Sequence, residues 1–198
     1  MSDSNEMSLS KLFGEVSTST GSFEIELNPP VTDANLSGLA SVIEQEVPEQ
    51  LAALFAIADG ETSSSEGMFA GERLLSADEI GIAWGWYEAE IGDLADDGQY
   101  FGKCPFVEQG RCWNPKWIPI VFGHAQTTFH FDSVPSEHGV FGQIIMSAQI
   151  DGDCGIVAAS IEDLLKRTIE LKKETLPLHY PFIDPRSGAA LPGANSMI

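Results

Sequence analysis

The fold is decided by residues 117–145, WIPIVFGHAQTTFHFDSVPSEHGVFGQII, in which short apolar runs are separated by turn-forming residues. Runs of five or six residues that are rich in Val, Ile, Phe and Thr, and bounded by Gly, Ser or Pro, are typical of β-strands. The pattern predicts three consecutive strands here, at Trp117–Phe122, 127–131 and 140–145. Residues 67–71 and 156–159 are predicted to add two more.

Helical patterns precede and follow these strands. Each begins with a residue type suited to the first turn of a helix, and Ser76 with Glu79 has the spacing of a capping box. Gly60 is expected to end the second helix, because glycine readily adopts the left-handed conformation found at helix C-termini. The predicted helix starts are Thr32 or Asp33, Pro48, Ser76 and Ser160. This order of elements predicts an α+β fold, a small and mainly antiparallel sheet with helices packed on one side of it.

The chain is predicted to contain one domain between two irregular ends. Residues 1–31 are Ser/Thr-rich and are expected to form a flexible acidic arm, although residues 23–27 alternate in polarity as a short strand does. Residues 32–173 form the domain, which carries a long Gly- and Asp-rich insertion at 93–112. Residues 174–198 contain four prolines that break regular elements and are expected to form a Pro-rich C-terminal tail.

The charge of the chain limits its partners. Its 198 residues carry 30 Asp and Glu against 10 Lys and Arg, a formal net charge of −20. Binding to nucleic acid or to an anionic membrane depends on Lys and Arg side chains that neutralise phosphates. We therefore expect neither of these partners. A basic protein is the partner that the charge favours.

The composition also indicates a reducing environment. Cys104, Cys112 and Cys154 are an odd number of cysteines without paired spacing, unlike the disulfide framework of a secreted chain. The N-terminus is acidic and polar where a signal peptide is basic and then apolar. No stretch of the sequence approaches the roughly 18 apolar residues that a membrane-spanning helix needs. We therefore expect a cytoplasmic protein.

Five segments, taken in order, resemble the SUKH superfamily. The helix at residues 47–60 is similar to the family's LP-x-x-L…(N/D)-G helix, with Val47 in place of the usual Leu. The closing helix is similar to A-x-S-F-x-x-F/L, with Ile161 in place of the usual Phe. The other segments are Arg73-Leu-Leu-Ser before a helix with Trp84 and Trp86, Asn114-Pro-Lys-Trp-Ile-Pro-Ile, and Thr128-Phe-His-Phe-Asp.

The resemblance covers about residues 32–173, and the 93–112 insertion is larger than is typical of the family. The superfamily contains a fungal regulator of cell-wall assembly and glucan synthesis, and many bacterial toxin-immunity proteins. The resemblance therefore implies an α+β module that binds a protein and is not an enzyme. We expect no catalytic residue and no cofactor.

His130 and Asp132 are the candidates for chemistry. They lie two residues apart on a predicted strand and so share a face, and a His–Asp pair can do general acid–base work. Together with His124 or His138 they match no zinc-site spacing. An Asp at the end of a strand commonly accepts hydrogen bonds from loop N–H groups, and we favour this interpretation. Residues 151–155, DGDCG, lack the further ligands of a calcium loop and predict a tight turn, so we expect no metal.

Trp86 and the acids after it form the candidate partner-binding site. At helical spacing Trp84 and Tyr87 share a face and are expected in the core, whereas Trp86 points elsewhere. An aromatic anchor in acidic surroundings suits a basic partner, although a solvated face is the commoner meaning of a charge run. The predicted site residues are Trp86, Glu88, Glu90, Asp93, Asp96 and Asp97, and residues 86–98 contain no Lys or Arg.

These observations favour a non-catalytic, protein-binding module. The leading hypothesis is an immunity protein that neutralises a cationic bacterial toxin or nuclease domain through an acidic surface. The alternative is a regulatory scaffold for cell-wall or polysaccharide synthesis. A hydrolase that uses His130 and Asp132 is a second alternative.

Overall fold

The computed structural model describes residues 3–18, 24–69, 71–95, 104–122, 127–148, 154–172 and 180–195. Within these residues there are five helices and seven strands. In chain order they are α1 (Asp3–Thr18), α2 (Asp33–Val42), α3 (Glu49–Phe55), β1 (Arg73–Leu74), α4 (Ala77–Ile91), β2 (Trp117–Phe122), β3 (Thr127–Asp132), β4 (Ile144–Ala148), β5 (Cys154–Ala158), α5 (Ile161–Leu171), β6 (Pro181–Ile183) and β7 (Ala190–Asn195). None of the helices in the described ranges has the length and apolar character to cross a membrane.

A five-stranded antiparallel sheet forms the centre of the protein, in the order β1-β2-β3-β4-β5. β2 and β3 pair from Trp117 opposite Asp132 to Phe122 opposite Thr128. The predicted α+β fold with an antiparallel sheet is confirmed. The first predicted strand also has the expected bounds, Trp117–Phe122, because its apolar run and its flanking turns are both local features of the sequence.

Two predicted strands are displaced in the structure, and a third does not form. β5 covers Cys154–Ala158 rather than residues 156–159. β4 begins at Ile144 rather than at residue 140, because residues 140–143 turn back towards the end of β3. In this turn Gly142 N donates to the carbonyl of Asp132 at 2.8 Å, and Gly142 has a φ of 82°, which favours glycine. Residues 67–69 and 71, predicted with residue 70 as a strand, instead belong to a turn that precedes β1, and residue 70 lies outside the described residues.

Helices cover both faces of the sheet, not the one face that the sequence predicts. Successive side chains of β3 point to opposite faces. Thr128 faces α4, where its Oγ1 lies 2.7 Å from the hydroxyl of Tyr87. Phe129 faces the other way and packs edge-on against Tyr180, whose hydroxyl is 2.9 Å from Thr168 Oγ1 of α5. α4 and α5 therefore lie on opposite sides of the sheet.

The helix starts follow the predicted caps closely. The side-chain oxygens of Thr32, Ser76 and Ser160 each accept a hydrogen bond from a backbone N–H in the first turn of α2, α4 and α5. Glu79 completes the capping box by accepting a hydrogen bond from Ser76 N at 2.9 Å. Pro48 is the N-cap of α3 and so lies just before the first helical residue, whereas the sequence predicted it within the first turn.

Gly60 has the predicted left-handed backbone, with a φ of 69°, but it does not end α3, which stops at Phe55. A Cβ atom at this position would lie 2.5 Å from the backbone C of Leu75, so the close approach of the chain before α4 requires glycine here. The neighbouring Asp59 carboxylate accepts a hydrogen bond from Ala77 N at 2.7 Å. The Asp59–Gly60 pair therefore holds the start of α4.

The buried carboxylate of Glu61 ties the same segment together. It accepts hydrogen bonds from Leu74 N at 2.6 Å, from Ser65 Oγ at 2.6 Å and from Met68 N at 3.1 Å. Burial raises the pKa of this carboxyl group, and the hydrogen bonds oppose that rise. Because β1 and α4 follow one another directly, Glu61 fixes where both begin.

The N-terminal residues form a packed helix, which differs from the expected flexible arm. Leu9, Phe13 and Val16 of α1 are buried, and Lys172 Nζ donates to the carbonyl of Val16 at 3.1 Å. The spacing of these apolar residues places them on one face of a helix, and the abundance of Ser and Thr around them obscured that face. Residues 24–28 are extended beside residues 59–66, as the alternation suggested, while residue 23 lies outside the described residues.

The Pro-rich C-terminal segment also packs against the domain. β6 and β7 form a two-stranded antiparallel hairpin, and Pro181 is the first residue of β6, a position that needs no backbone N–H. The ring of Phe182 covers Gly155 of β5, where a Cβ atom would lie 2.5 Å from the ring. Tyr180 and Ile183 are buried as well. The prolines therefore exclude a helix here but allow a short hairpin.

The predicted insertion contributes to the core. Of its residues, 96–103 lie outside the described part of the chain, whereas Cys104, Phe106 and Val107 are buried. The carbonyl of Phe106 accepts hydrogen bonds from Gln143 Nε2 at 2.8 Å and from Ser136 N at 3.1 Å. This segment therefore closes the end of the sheet beside the β3–β4 turn.

We expect Phe13→Ala to lower the free energy of unfolding by about 3–5 kcal/mol, because it removes a buried ring from the contact of α1 with the core. Chemical denaturation followed by circular dichroism measures this loss. Glu15→Ala, on the exposed side of the same helix, serves as the control and should change it by less than about 0.5 kcal/mol. Equally small effects of both substitutions would contradict the packing of α1.

Candidate partner-binding surface

α4 has one buried and one exposed face. Its buried side chains recur at helical spacing and contact the sheet. Between them, Ile82 is 74% exposed and Trp86 is 44% exposed. The prediction that Trp84 and Tyr87 lie in the core while Trp86 points elsewhere is confirmed. The buried residues of the helix are Ala77, Ile80, Trp84 and Tyr87.

An aromatic layer fixes α4 on the sheet. The ring of Tyr87 stacks on Trp113 with centroids 5.7 Å apart, and Trp84 meets the same indole edge-on at 5.6 Å. Trp84 Nε1 also donates to the carbonyl of Pro115 at 2.9 Å. Aromatic pairs of this geometry contribute about 0.5–1.5 kcal/mol beyond the burial of their area. The exposed face of α4 is therefore presented by a firmly packed helix.

Trp86 is exposed yet held in place. Its ring meets Tyr87 edge-on, with centroids 5.1 Å apart and an interplanar angle of 79°. Because Tyr87 is itself buried, it supports part of the Trp86 indole, while Trp86 as a whole remains 44% exposed. A supported aromatic side chain loses little conformational entropy on binding, which is a property of interface anchors.

Acidic side chains accompany Trp86 on α4 and just beyond it. Glu88, Glu90 and Asp93 are exposed, as the predicted partner-binding site requires. Asp96 and Asp97 belong to the same prediction but lie outside the described residues. Glu90 and Asp93 lie four and seven residues after Trp86 and so on its side of α4, whereas Glu88, two residues after it, points to a different side of the helix.

Few basic residues lie near these acids in the sequence. Arg73 is the only Lys or Arg between Leu12 and Gly102. Its guanidinium pairs with Glu79 at 2.9 Å and donates to the carbonyls of Glu61 and Thr62. That cation is thereby engaged at the start of α4, and the negative potential at the other end is not offset by it.

Two exposed apolar residues extend this surface beyond the prediction. Ile82 lies one helical turn before Trp86, on the same face. Val42, the last residue of α2, is 46% exposed and lies beside α4, where a Cβ atom at Gly81 would be 3.5 Å from its Cγ1. The helical spacing of Ile82 and Trp86 was a signal that could have identified Ile82. The place of Val42 depends on how α2 packs against α4, which no local pattern specifies.

His130 and Asp132 lie in the core and not in an accessible site, since both are fully buried. The Asp132 carboxylate accepts hydrogen bonds from Val134 N at 2.9 Å and from Gln143 Nε2 at 2.8 Å. This confirms the interpretation that Asp132 accepts hydrogen bonds from the loop after its strand. Burial raises the pKa of Asp132 to about 6, and these hydrogen bonds limit the rise.

The other candidates for chemistry are dispersed. His138 is exposed, with Nε2 3.5 Å from a carboxylate oxygen of Glu137, whereas His124 and residues 151–153 lie outside the described residues. In the part of the chain that the structure describes, no three His, Cys, Asp or Glu side chains are grouped as metal ligands. Cys104 is buried, and burial raises the pKa of its thiol.

Comparison with known proteins places the chain in a family. The family model of the SMI1/KNR4 family (SUKH-1) matches residues 30–167. The chain belongs to the SUKH-1 family. The match confirms the resemblance to the SUKH superfamily and spans the elements from α2 into α5, so the candidate surface of this SUKH-1 protein lies within it. α1 and the β6–β7 hairpin lie outside the matched residues. No curated protein matches the chain.

The two neighbouring tryptophans of α4 should differ in their effect on stability. Trp84→Ala removes a buried, hydrogen-bonded ring, and we expect it to lower the free energy of unfolding by about 3–5 kcal/mol. Trp86→Ala removes an exposed ring and should cost less than about 1 kcal/mol. Chemical denaturation of both variants measures the difference. Similar losses would contradict the assignment of Trp86 to the surface.

The burial of His130 should make stability depend on pH. Burial lowers its pKa from 6.5 to about 3, so between these values the unfolded chain binds a proton that the folded chain does not. Acidification from pH 7 towards 4 therefore lowers the free energy of unfolding. His130→Leu should lose less stability over this range than the unaltered protein, as measured by denaturation at a series of pH values.

Asp132 changes the pH dependence of the free energy of unfolding in the opposite direction, because folding raises its pKa. It is present in both proteins, so the comparison isolates His130. His138→Leu, which alters an exposed histidine, is the control and should follow the unaltered protein. An acid-induced loss in His130→Leu as large as in the unaltered protein would contradict the prediction.

Proposed function

We propose that this SUKH-1 protein is a non-catalytic binding module that neutralises a cationic protein, as an immunity protein neutralises a toxin domain. Membership of the family supports a SUKH-type module. The observation that carries the proposal is the supported, exposed ring of Trp86 among exposed acids on a helix without Lys or Arg. The proposed contact residues are Trp86, Glu88, Glu90 and Asp93, continued by Asp96 and Asp97.

Two physical effects contribute to the proposed affinity, one through the association rate and one through the dissociation rate. Exposed acids raise the rate of encounter with a cationic surface, and this part of the affinity weakens with salt. The aromatic anchor excludes water from the contact once it has formed and slows dissociation. Neutralisation then follows from covering a functional surface of the partner, and it needs no reaction on this chain.

The buried pair of His130 and Asp132 does not favour a hydrolase. Both side chains are buried in the core, and a substrate would have to open the sheet to reach them. A general acid or base must come within hydrogen-bond reach of the group it serves. The regulatory scaffold for cell-wall or polysaccharide synthesis uses the same kind of binding surface, and the experiment below distinguishes it by the nature of the partner.

The test uses the full chain, tagged and expressed in its own cells, to recover a bound protein. We expect a basic partner that inhibits growth when expressed alone and is harmless when this chain is co-expressed. Its dissociation constant should rise at least tenfold on going from low to moderate salt. Replacing Glu88, Glu90 and Asp93 with Lys should weaken binding at least tenfold and abolish protection.

A matched control shows whether binding depends on where the acids lie or only on the net charge of the protein. Glu15, Glu137 and Glu170 are exposed acids away from α4, and their replacement with Lys changes the net charge equally. Binding that resists salt, or that the two triple variants weaken alike, would refute the proposed surface. A partner without toxicity, together with a weakened cell envelope when this chain is absent, would favour the cell-wall scaffold instead.

A further inference from the structure

We propose that the exposed face of α4, together with the end of α2, docks a cationic amphipathic helix of the partner protein. This inference rests on the proposed function and adds the form that the partner's contact surface takes. It starts from an apolar ridge formed by Val42, Ile82 and Trp86, each of them between 44% and 74% exposed. We refer to these residues as the α2–α4 ridge.

Ile82 and Trp86 form a continuous line on the surface of α4, and Val42 lies to one side of that line. Ile82 and Trp86 are neighbours on α4 because residues four apart lie one above the other. Val42 lies against Gly81, whose position on α4 is about 100° round the helix from that of Ile82. Single exposed apolar side chains are ordinary on a protein surface, whereas adjacent ones on two packed helices make a patch suited to a partner.

A row of small residues runs beside the ridge. Gly85 and Ala89 are exposed and also lie four residues apart on α4. A Cβ atom at Gly85 would have no atom within 4 Å, so the packing of the chain does not require glycine there. Glycine is a poor helix former, and a partner backbone that approaches α4 closely would account for its presence.

The geometry of the ridge and the small row favours a helix as the occupant. Both repeat every four residues, and a ridge of that spacing beside a groove of the same spacing is the arrangement by which two helices pack. An amphipathic helix that binds in such a groove presents apolar anchors at positions i, i+3, i+4 and i+7. A partner helix would therefore place its apolar stripe along Gly85 and Ala89, against Ile82 and Trp86.

Charge determines the rest of the partner's chemistry. Asp78 lies one turn before Ile82, and Glu90 and Asp93 lie one and two turns beyond Trp86, all three exposed. The sequences of α2 and α4 contain no Lys or Arg. A partner helix with acidic flanks would be repelled, and one without charge would leave these carboxylates without partners. The occupant therefore carries Lys or Arg on both sides of its apolar stripe.

The test measures binding of two synthetic peptides to the full chain. The first is a helix of Leu and Lys, about 18 residues long, with Leu at positions i, i+3, i+4 and i+7. The second has the same composition but its Leu residues are distributed around the helix. Fluorescence anisotropy of labelled peptides at near-physiological salt should give at least tenfold tighter binding of the amphipathic peptide.

Variants locate the peptide on the surface. Gly85→Gln should raise the Tm of the unbound protein, because glutamine favours helix, and should weaken the amphipathic peptide at least fivefold by filling the groove. Gly14→Gln is the matched control: Gly14 in α1 is equally open to solvent, so its replacement should raise the Tm without affecting binding. Ile82→Ser should weaken binding of the same peptide, whereas Phe141→Ser, at another exposed apolar residue that packs on Phe131, should not.

The outcomes separate this inference from the proposed function. Equal binding of the two peptides, or equal effects of Gly85→Gln and Gly14→Gln, would overturn helix docking. If both peptides then still lose affinity when Asp78, Glu90 and Asp93 are replaced by Lys, the result supports an acidic binding surface but not the docking of a helix. If neither peptide binds, or if charge reversal changes nothing, the inference and the proposed cationic partner fail together.

Discussion

The stack of Tyr87 on Trp113 is the contact on which the rest of the α4 side depends. It brings the Tyr87 hydroxyl to Thr128 of the central strand. The Tyr87 and His130 rings also meet edge to face, with their centroids 5.1 Å apart. One side chain thereby sets the distance of α4 from the sheet and its rotation about its own axis. That rotation turns Ile82 and Trp86 outward, so the exposed surface is a consequence of the buried stack.

Features that depend on neighbouring residues could be predicted from the sequence, and those that depend on distant contacts could not. The caps of α2, α4 and α5 and the strand at Trp117–Phe122 were confirmed because each is encoded within a few residues. The packing of α1 and of the β6–β7 hairpin depends on α5 and β5, far away in the chain. For the same reason helical spacing could separate Trp86 from Trp84, whereas Val42 had no local signal.

The protein uses its acids in two ways that burial distinguishes. Glu61 and Asp132 are enclosed, and backbone N–H groups and polar side chains surround their carboxylates. Such groups organise turns, because an enclosed carboxylate left without donors would be costly. The acids on the outer side of α4 have no such task within the described chain, and mutual repulsion among them is tolerated. A cationic protein bound to this surface would relieve that repulsion.

The contact between α1 and α5 has a consequence for how the chain acquires its structure. The hydrogen bond from Lys172 to Val16 spans 156 residues, and Tyr180 enters the core later still in the chain. Contacts between such distant segments slow folding, because closing the long loop between them costs chain entropy before the contact forms. During synthesis, α5 and Tyr180 leave the ribosome after every strand of the main sheet. Until then the apolar side chains that these residues cover, such as Phe129, stay exposed, and exposed apolar surface of this kind favours aggregation.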